Sequence, residues 1–312
     1  MLTEIVASLH ITMPVFLLMM LGVLFRRTGI IQDRFAKDLN SFVFKIALPV
    51  SIFQQLYLAD FRDIWDLRFV LFCFIATAVQ ILLSYGLAVI LCKKGGDKGE
   101  FTQACYRSST ALLGVTYLQQ AYGTASASAL MMVGCVPLYN VAAILLLMQK
   151  ENGKKVEKRA LVKSILTNPI ILSIIIGFFF SALRIPLPLI GEKTVSSVAA
   201  IASPAGLMAM GASINFKRLG SQKWLILISS ACKLMVFVAL AIPVAVHMGF
   251  TGEKLMAILI MMGSATTVAS FTMAKSMGHD GELTAGTVML TTLATSVTLT
   301  FWIFLLRHQG LL

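Results

Sequence analysis

The sequence predicts an all-α integral membrane protein with ten transmembrane helices arranged as two inverted five-helix repeats. Three observations support this fold class. Apolar residues make up 58% of the 312 residues and charged residues only 13%, with a mean hydropathy of +0.86, whereas about a quarter of an ordinary soluble domain is charged. Basic residues collect in alternate loops, and two pairs of prolines are separated by one common interval.

Ten segments have the length that a membrane crossing requires, which is about 20 apolar residues. In chain order they are residues 5–25, 38–58, 69–92, 101–121, 125–148, 161–183, 194–214, 223–248, 253–275 and 283–306, called predicted helices 1 to 10. The first segment lacks the basic start of a secretory signal, so we expect it to be retained in the mature protein.

The distribution of Lys and Arg predicts the orientation. Odd-numbered loops carry 17 of these residues and the opposite side carries 6, and cytoplasmic loops are enriched in positive charge. Both termini are therefore expected outside the cytoplasm, in a bacterial inner membrane. The basic loop 149–160 would be a cytoplasmic linker between a first repeat (1–148) and a second repeat (161–312). The net charge of +12 then reflects topology, and no nucleic-acid partner is expected.

An internal repeat accounts for the prolines. Pro14 and Pro169 lie 155 residues apart, as do Pro49 and Pro204, and the same interval joins Gly22 to Gly177. Chance identity between apolar segments is the alternative, but four of the eight prolines share the interval. Because each half has an odd number of helices, the second copy enters the membrane from the opposite side, an arrangement typical of secondary transporters that bind substrate near the midplane.

The prolines are expected to act as bends. Proline removes a helix hydrogen bond and kinks the helix, so we favour a scaffold bend at the paired positions. Asn168 has no polar counterpart in the first copy, where Met13 stands. Its amide would serve the site or satisfy a freed carbonyl, and we favour the second role.

Charge inside the predicted helices is positive. All 14 acidic residues fall in loops or near helix ends, whereas Lys45, Arg107 and Lys233 lie within helices. An uncompensated cation in a membrane suggests an anion that binds and leaves. Long basic side chains also extend to the interface, and we favour that role for Lys45 and Arg107. For Lys233, near mid-depth, a place on the substrate pathway and pairing with helix carbonyls both stay open.

Predicted helices 4 and 9 are the most polar spanning segments of their halves. Hydroxyl-rich helices can simply be packed by small residues and bonded to their own carbonyls. Both helices also carry a small residue at midspan, Gly114 and Ala269, where an unwound helix would expose backbone dipoles to a substrate. No metal site, nucleophile–base pair or cofactor motif is visible, so neither an enzyme nor a cofactor is expected.

The chain resembles the auxin efflux carrier family, which includes short bacterial transporters of organic acids. The resemblance rests on "ALPVSIF", "GVTYLQQAYG", "LTNPIILSIIIG", "SPAGLMAMGASI" and "SFTMAKSMGHD" and covers essentially the whole chain. It implies that predicted helices 4 and 9 break and cross at the substrate site, with helices 1, 2, 6 and 7 as a scaffold against which helices 3–5 and 8–10 move as an elevator. It also implies a homodimer.

Family members often have proline at the two crossover points, where this chain has Thr116 and Ser270. The expected substrate-binding residues are Ser109, Gly114, Thr116, Gln119, Lys233, Ser264, Thr267 and Ser270.

The leading hypothesis is a secondary active transporter of small organic anions, with mono- and dicarboxylates as the expected class. The coupling ion, Na⁺ or H⁺, is open. The alternatives are a sodium-coupled carrier similar to the bile-acid symporters and a membrane sensor that keeps the transporter fold.

Overall fold

A computed structural model describes residues 14, 17–58, 66–92, 95–110, 115–123, 126–148, 167, 169–213 and 220–312. Within these ranges the chain is helical and has no strand. The helices are α1 (17–27), α2 (Asp33–Phe42), α3 (Leu48–Tyr57), α4 (Leu67–Leu91), α5 (Gly95–Tyr106), α6 (Val115–Tyr122), α7 (Ser126–Leu147), α8 (Pro169–Ala182), α9 (Leu189–Ser213), α10 (Lys223–Ala231), α11 (Phe237–His247), α12 (Gly252–Gly263), α13 (Val268–Ser276) and α14 (Glu282–His308).

The apolar helices form a membrane protein. All ten predicted segments contain helix in their described parts, and within the described residues six spans are long and apolar enough to cross a bilayer. They are Leu67–Leu91, Ser126–Leu147, Leu189–Ser213, Lys223–His247, Gly252–Ser276 and Glu282–His308. Large side chains such as Leu82, Ile90 and Val297 are exposed on their outer surfaces. A surface of this kind is stable against lipid and would be unfavourable in water.

Helix packing divides the described chain into two groups. The first helix group is α1, α2, α3, α8 and α9, and the second helix group is α4 to α7 and α10 to α14. The most extensive contacts lie within each group, as between α3 and α8 or between α4 and α7. Contacts between the groups are fewer and involve chiefly α9 with α13, α2 with α13, and α7 with α8.

Two glycines, Gly22 and Gly177, mark close helix approaches in the first helix group. A side chain on Gly22 of α1 would collide with the backbone carbonyl of Met208 in α9, and one on Gly177 of α8 would lie 3.0 Å from the carbonyl oxygen of Phe53 in α3. Small residues allow membrane helices to approach this closely. The two glycines are 155 residues apart, and the residues that they contact are separated by the same interval.

Carboxylates close the ends of several helices. Glu100 accepts hydrogen bonds from the Gly281 and Thr284 N–H groups at the start of α14, and Glu253 accepts one from Ala127 N–H at the start of α7. Glu100 lies in α5 and caps α14, whereas Glu253 lies in α12 and caps α7. Acidic groups at helix N-termini are stabilising because unpaired N–H groups and the helix dipole point toward them.

At the start of α4, Asp66 accepts a hydrogen bond from Phe69 N–H and pairs with Lys254 at 2.5 Å. The hydrogen bond from Lys254 and the one from Phe69 N–H lower the pKa of Asp66. This pair joins the beginnings of α4 and α12.

The prolines have unlike roles. Pro49 follows a π-helical turn, Val43–Ala47, that joins α2 to α3. Pro204 lies inside the long helix α9, and Pro169 is the first residue of α8. A π-turn accommodates a residue that lacks the backbone N–H, whereas the first helical position needs no such group. Asn168 lies outside the described residues.

Two helices are interrupted, and in the second of them the break does not lie where the sequence suggested. Helix α5 ends at Tyr106, residues 107–109 are not helical, and α6 begins at Val115. Helix α12 ends at Gly263 and α13 begins at Val268. The expected break at Ala269 and Ser270 is therefore wrong by about one turn, because both residues already belong to α13. Gly114 lies outside the described residues, and Thr116 belongs to the first turn of α6.

A methyl group at the α1–α9 crossing should destabilise the protein. We expect Gly22→Ala to lower the free energy of unfolding by about 1–3 kcal/mol, as overpacking of a tight interior does. The matched control is Gly86→Ala in α4, where a side chain meets nothing within 4 Å. This control should gain up to about 1 kcal/mol from better helix propensity.

Thermal unfolding of the purified variants in detergent measures both effects. The two melting temperatures should move in opposite directions, and an unchanged melting temperature for Gly22→Ala would contradict the close approach of α1 and α9.

Candidate functional site

A cavity of about 650 Å³ lies between the two helix groups. The first helix group contributes mostly apolar and small side chains, from Pro14, α1, α3, α9 and the Val43–Ala47 turn. The second helix group contributes the two helix interruptions together with parts of α7, α13 and α14. Polar side chains of this second wall are Arg107, Ser108, Ser109, Thr110, Tyr139, Asn140, Thr266, Thr267, Thr272 and Thr292.

The two interruptions bind each other. The Ser109 N–H donates to the carbonyl oxygen of Ala265 at 2.9 Å, and the Thr266 hydroxyl donates to the carbonyl oxygen of Ala104 at 2.8 Å. The side-chain amide of Gln103 donates to the Ser270 carbonyl oxygen at 2.9 Å. The first two bonds satisfy backbone groups that the missing helix turns leave unpaired, which is necessary inside a membrane. The interruptions therefore form one structural unit built from both halves of the chain.

Lys233 lies behind this unit. It is fully buried in a π-helical turn, Cys232–Val236, between α10 and α11. Its ammonium donates to the carbonyl oxygens of Met262 at 2.9 Å and of Tyr106 and Met261 at 3.4 Å, and also to the Ser108 hydroxyl. Lys233 is not among the residues that line the cavity. Of the two roles left open for it, this geometry favours pairing with helix carbonyls.

Arg107 is the charged residue of the cavity. It is only 3% exposed, so the expected extension to the membrane interface is wrong. Arg107 follows the last residue of α5, and its side chain points into the protein because the helix has ended there. One guanidinium nitrogen donates to Asn140 Oδ1 at 2.9 Å and another lies 2.6 Å from Met273 Sδ, whereas Nε has no hydrogen-bond partner. Among the described lining residues no other side chain is charged.

The start of α13 also opens onto the cavity. Thr267, Val268 and Ala269 line it, and the first N–H groups of a helix carry a partial positive charge. Nearby, the buried hydroxyl of Thr272 lines the same cavity without a hydrogen-bond partner. Arg107, the start of α13 and this hydroxyl together provide donors and positive charge, a combination suited to an anion.

The expected site residues separate into three sets. Ser109, Thr267, Pro14 and Pro204 line the cavity. Ser264 and Ser270 are buried beside the interruption, and neither hydroxyl has a hydrogen-bond partner. Gly114 lies outside the described residues, as do the side chains of Thr116 and Gln119, so their roles stay predictions.

Comparison with known proteins gives the family. The model of a family described as membrane transport protein, the auxin efflux carrier family, matches residues 8–303. The chain belongs to the auxin efflux carrier family. It is also 21% identical over 302 residues to an "uncharacterized transporter" of Methanothermobacter thermautotrophicus, with 95% of this chain and 97% of the relative covered.

In this member of the auxin efflux carrier family, two residues that line the cavity, Arg107 and Asn140, were not predicted from the sequence. Arg107 lies close to one end of a predicted helix, and this position indicated that its side chain extends to the membrane interface. No carboxylate lies within six residues of Arg107 in the sequence, and this was a signal that could have indicated a place in the site. Asn140 had no sequence signal, because a single amide in the apolar span Ser126–Leu147 is compatible with many packing roles.

A proline should be accepted at the beginning of α6. Thr116 is the second residue of α6, and the N–H groups in the first turn of a helix have no acceptor within that helix. We expect Thr116→Pro to change stability by less than about 1 kcal/mol, whereas Ala121→Pro, close to the other end of α6, should cost about 3 kcal/mol. Expression level and melting temperature measure the difference. Equal losses in the two variants would contradict the helix start at Val115.

Proposed function

We propose that the protein is a secondary active transporter of small organic anions, with mono- and dicarboxylates as the substrate class. The observation that carries this proposal is the cavity between the helix groups, in which Arg107 is the only charged lining residue described. A buried guanidinium without a carboxylate partner is costly in a membrane unless an anion compensates it. Bidentate binding of a carboxylate is the chemistry to which a guanidinium is best suited.

The polar groups around Arg107 support the same substrate class. Ser108, Ser109 and Thr272 place hydroxyl groups in the cavity wall, and the N-terminus of α13 adds its partial positive charge. No described lining residue carries a negative charge that would repel an anion. The apolar first wall would accommodate the hydrocarbon part of a substrate, so the pocket suits a small amphipathic acid.

The position of the cavity between the two helix groups supports an elevator mechanism. The first helix group faces the cavity with small side chains of α9, among them Ala199, Ala202 and Ser203. A wall of small residues offers few interlocking contacts, which favours sliding of one packed body past another. We propose that the second helix group carries the substrate with Arg107 past the first, which acts as the scaffold.

We also propose the ten-helix inverted repeat, with repeats at 1–148 and 161–312. The support is that symmetry-related positions make matching contacts, since Gly22 approaches Met208 as Gly177 approaches Phe53. Glu100 and Glu253, near the starts of the two interrupted helices, also have matching capping roles. An inverted repeat provides two related conformations, one open to each side of the membrane.

The orientation proposed from loop charge is open to a direct test. All five cysteines are buried and none forms a disulfide, so they give little background with a membrane-impermeant maleimide. We expect Gln309→Cys, at an exposed position, to be labelled on intact cells, and Asn152→Cys, in the basic loop, to be labelled only after permeabilisation. The reverse pattern would contradict both the orientation and the cytoplasmic loop.

Uptake into proteoliposomes tests the function. We expect accumulation of radiolabelled mono- or dicarboxylates by the wild-type protein and a loss of affinity of roughly 10–100-fold in Arg107→Gln, because a hydrogen bond to a charged group contributes about 1.5–3 kcal/mol. Arg68→Gln is the matched control. Arg68 lies outside the cavity, donates to the Met248 carbonyl oxygen at 2.5 Å and should leave affinity unchanged.

Three outcomes decide between the candidate functions. Carboxylate binding without uptake under any imposed ion gradient would support the sensor in place of the transporter. Uptake that requires sodium would favour a carrier similar to the bile-acid symporters. Unchanged affinity in a folded Arg107→Gln protein would remove Arg107 from the site and with it the main support for an anionic substrate.

A further inference from the structure

We propose that Lys233 acts as a built-in cation that holds the two helix interruptions together, in place of a bound metal ion. Its part in transport rests on the proposed function, whereas its part in assembling the interruptions does not. Lys233 is then a positioning residue, because it acts on the cavity wall through Ser108 and the backbone and does not itself line the cavity.

The hydrogen bonds fit an ammonium ion. The acceptors around Lys233 Nζ include three main-chain carbonyl oxygens, those of Tyr106, Met261 and Met262, all within 3.4 Å. Carbonyl oxygens only accept, and an ammonium group carries three donors and no acceptor. Because Met261 also accepts from the Ser108 hydroxyl, the three donors of the ammonium match the Tyr106 carbonyl, the Met262 carbonyl and the Ser108 oxygen, and a neutral amine, with two N–H groups, would leave one of these three without a donor. The Ser108 hydroxyl accepts from the same ammonium and itself donates to Met261.

The positions of these carbonyls explain why a cation is needed there. Tyr106 is the last residue of α5, and Met261 and Met262 lie in the last turn of α12. The final carbonyls of a helix carry a partial negative charge, and a cation near them is stabilising. Two helix C-termini that meet within a membrane therefore create a concentrated negative potential. Lys233 is the positively charged group that contacts both.

The surroundings keep Lys233 in place. Its side chain is fully buried, and the π-turn that carries it is held to α14 by a hydrogen bond from Trp302 Nε1 to the Leu234 carbonyl oxygen at 3.1 Å. π-turns commonly occur at functional positions, where they redirect a side chain. A second π-turn, Val43–Ala47, also carries a lysine, but Lys45 is exposed. Lys45 is thus a matched residue without the enclosing carbonyls.

Removal of the ammonium should create a site for a small monovalent cation. In Lys233→Ala the carbonyl and hydroxyl oxygens would remain around the vacated volume, and such oxygens replace the hydration shell of an alkali cation. Sodium, methylammonium or ammonium added from solution would then occupy the position of Nζ. The wild-type protein has this position filled, so these cations should have no effect on it.

The experiment compares wild type, Lys233→Ala and Lys45→Ala in choline, sodium and methylammonium chloride at equal ionic strength. Melting temperature is measured in detergent and carboxylate uptake in proteoliposomes. For Lys233→Ala we expect a lower melting temperature and at least a tenfold loss of uptake in choline, with a saturable rise of both in sodium or methylammonium. Wild type and Lys45→Ala should give the same values in all three salts.

Several results would overturn this role for Lys233. They are a wild-type melting temperature that rises specifically with sodium, a Lys233→Ala protein as stable and active in choline as wild type, and a Lys233→Ala protein that no cation rescues or that cannot be purified in any of the salts. The melting temperatures are read without any transport assay. Failure of the transporter proposal would leave them unchanged, so the two failures are distinguishable.

Discussion

Unpaired backbone groups inside the membrane are the constraint on which this structure depends. Helices α5 and α12 both end within the protein, and lipid offers no hydrogen bonds to the groups they leave unpaired. The two interruptions pair some of these groups with each other, as in the hydrogen bond from Ser109 N–H to the Ala265 carbonyl. Lys233 donates to final carbonyls of both α5 and α12. The two halves of the chain are therefore required together at this point, and the cavity forms beside the unit that they build.

The sequence predicted the elements that depend on local pattern. Helix positions followed from apolar length, and the 155-residue interval identified Gly22 and Gly177, which later proved to be the sites of close helix approach. The prolines suggested the repeat most strongly, yet Pro49, Pro169 and Pro204 have dissimilar local roles. A repeated glycine was more informative about packing, because only the absence of a side chain permits two backbones to approach so closely.

The positions of the interruptions could not be predicted, because distant contacts fix them. Nothing in residues 107–109 forbids a helix, and Gly263 alone is a weak signal within an apolar run. The helix ends at Tyr106 where its carbonyl can bind Lys233, which is 127 residues away in the chain. Local propensity is a weak prior that tertiary contacts override. The same limit applies to Arg107. Its position in the predicted helix indicated the membrane interface, whereas contacts with distant residues keep it buried.

The two buried cations are distinguished by how many acceptors surround them. Lys233 has three carbonyls and a hydroxyl within reach, so its donors are engaged, whereas Arg107 retains an unpaired Nε beside the cavity. A compact ammonium fits a set of converging carbonyls, and a planar guanidinium fits a carboxylate. The partial charges at the ends of α12 and α13 agree with this difference between the two cations. The end of α12 directs its partial negative charge toward Lys233, and the start of α13 directs its partial positive charge toward the cavity. The interruption thus separates a site that requires a cation from one that favours an anion, and a single uninterrupted helix at this depth would provide neither.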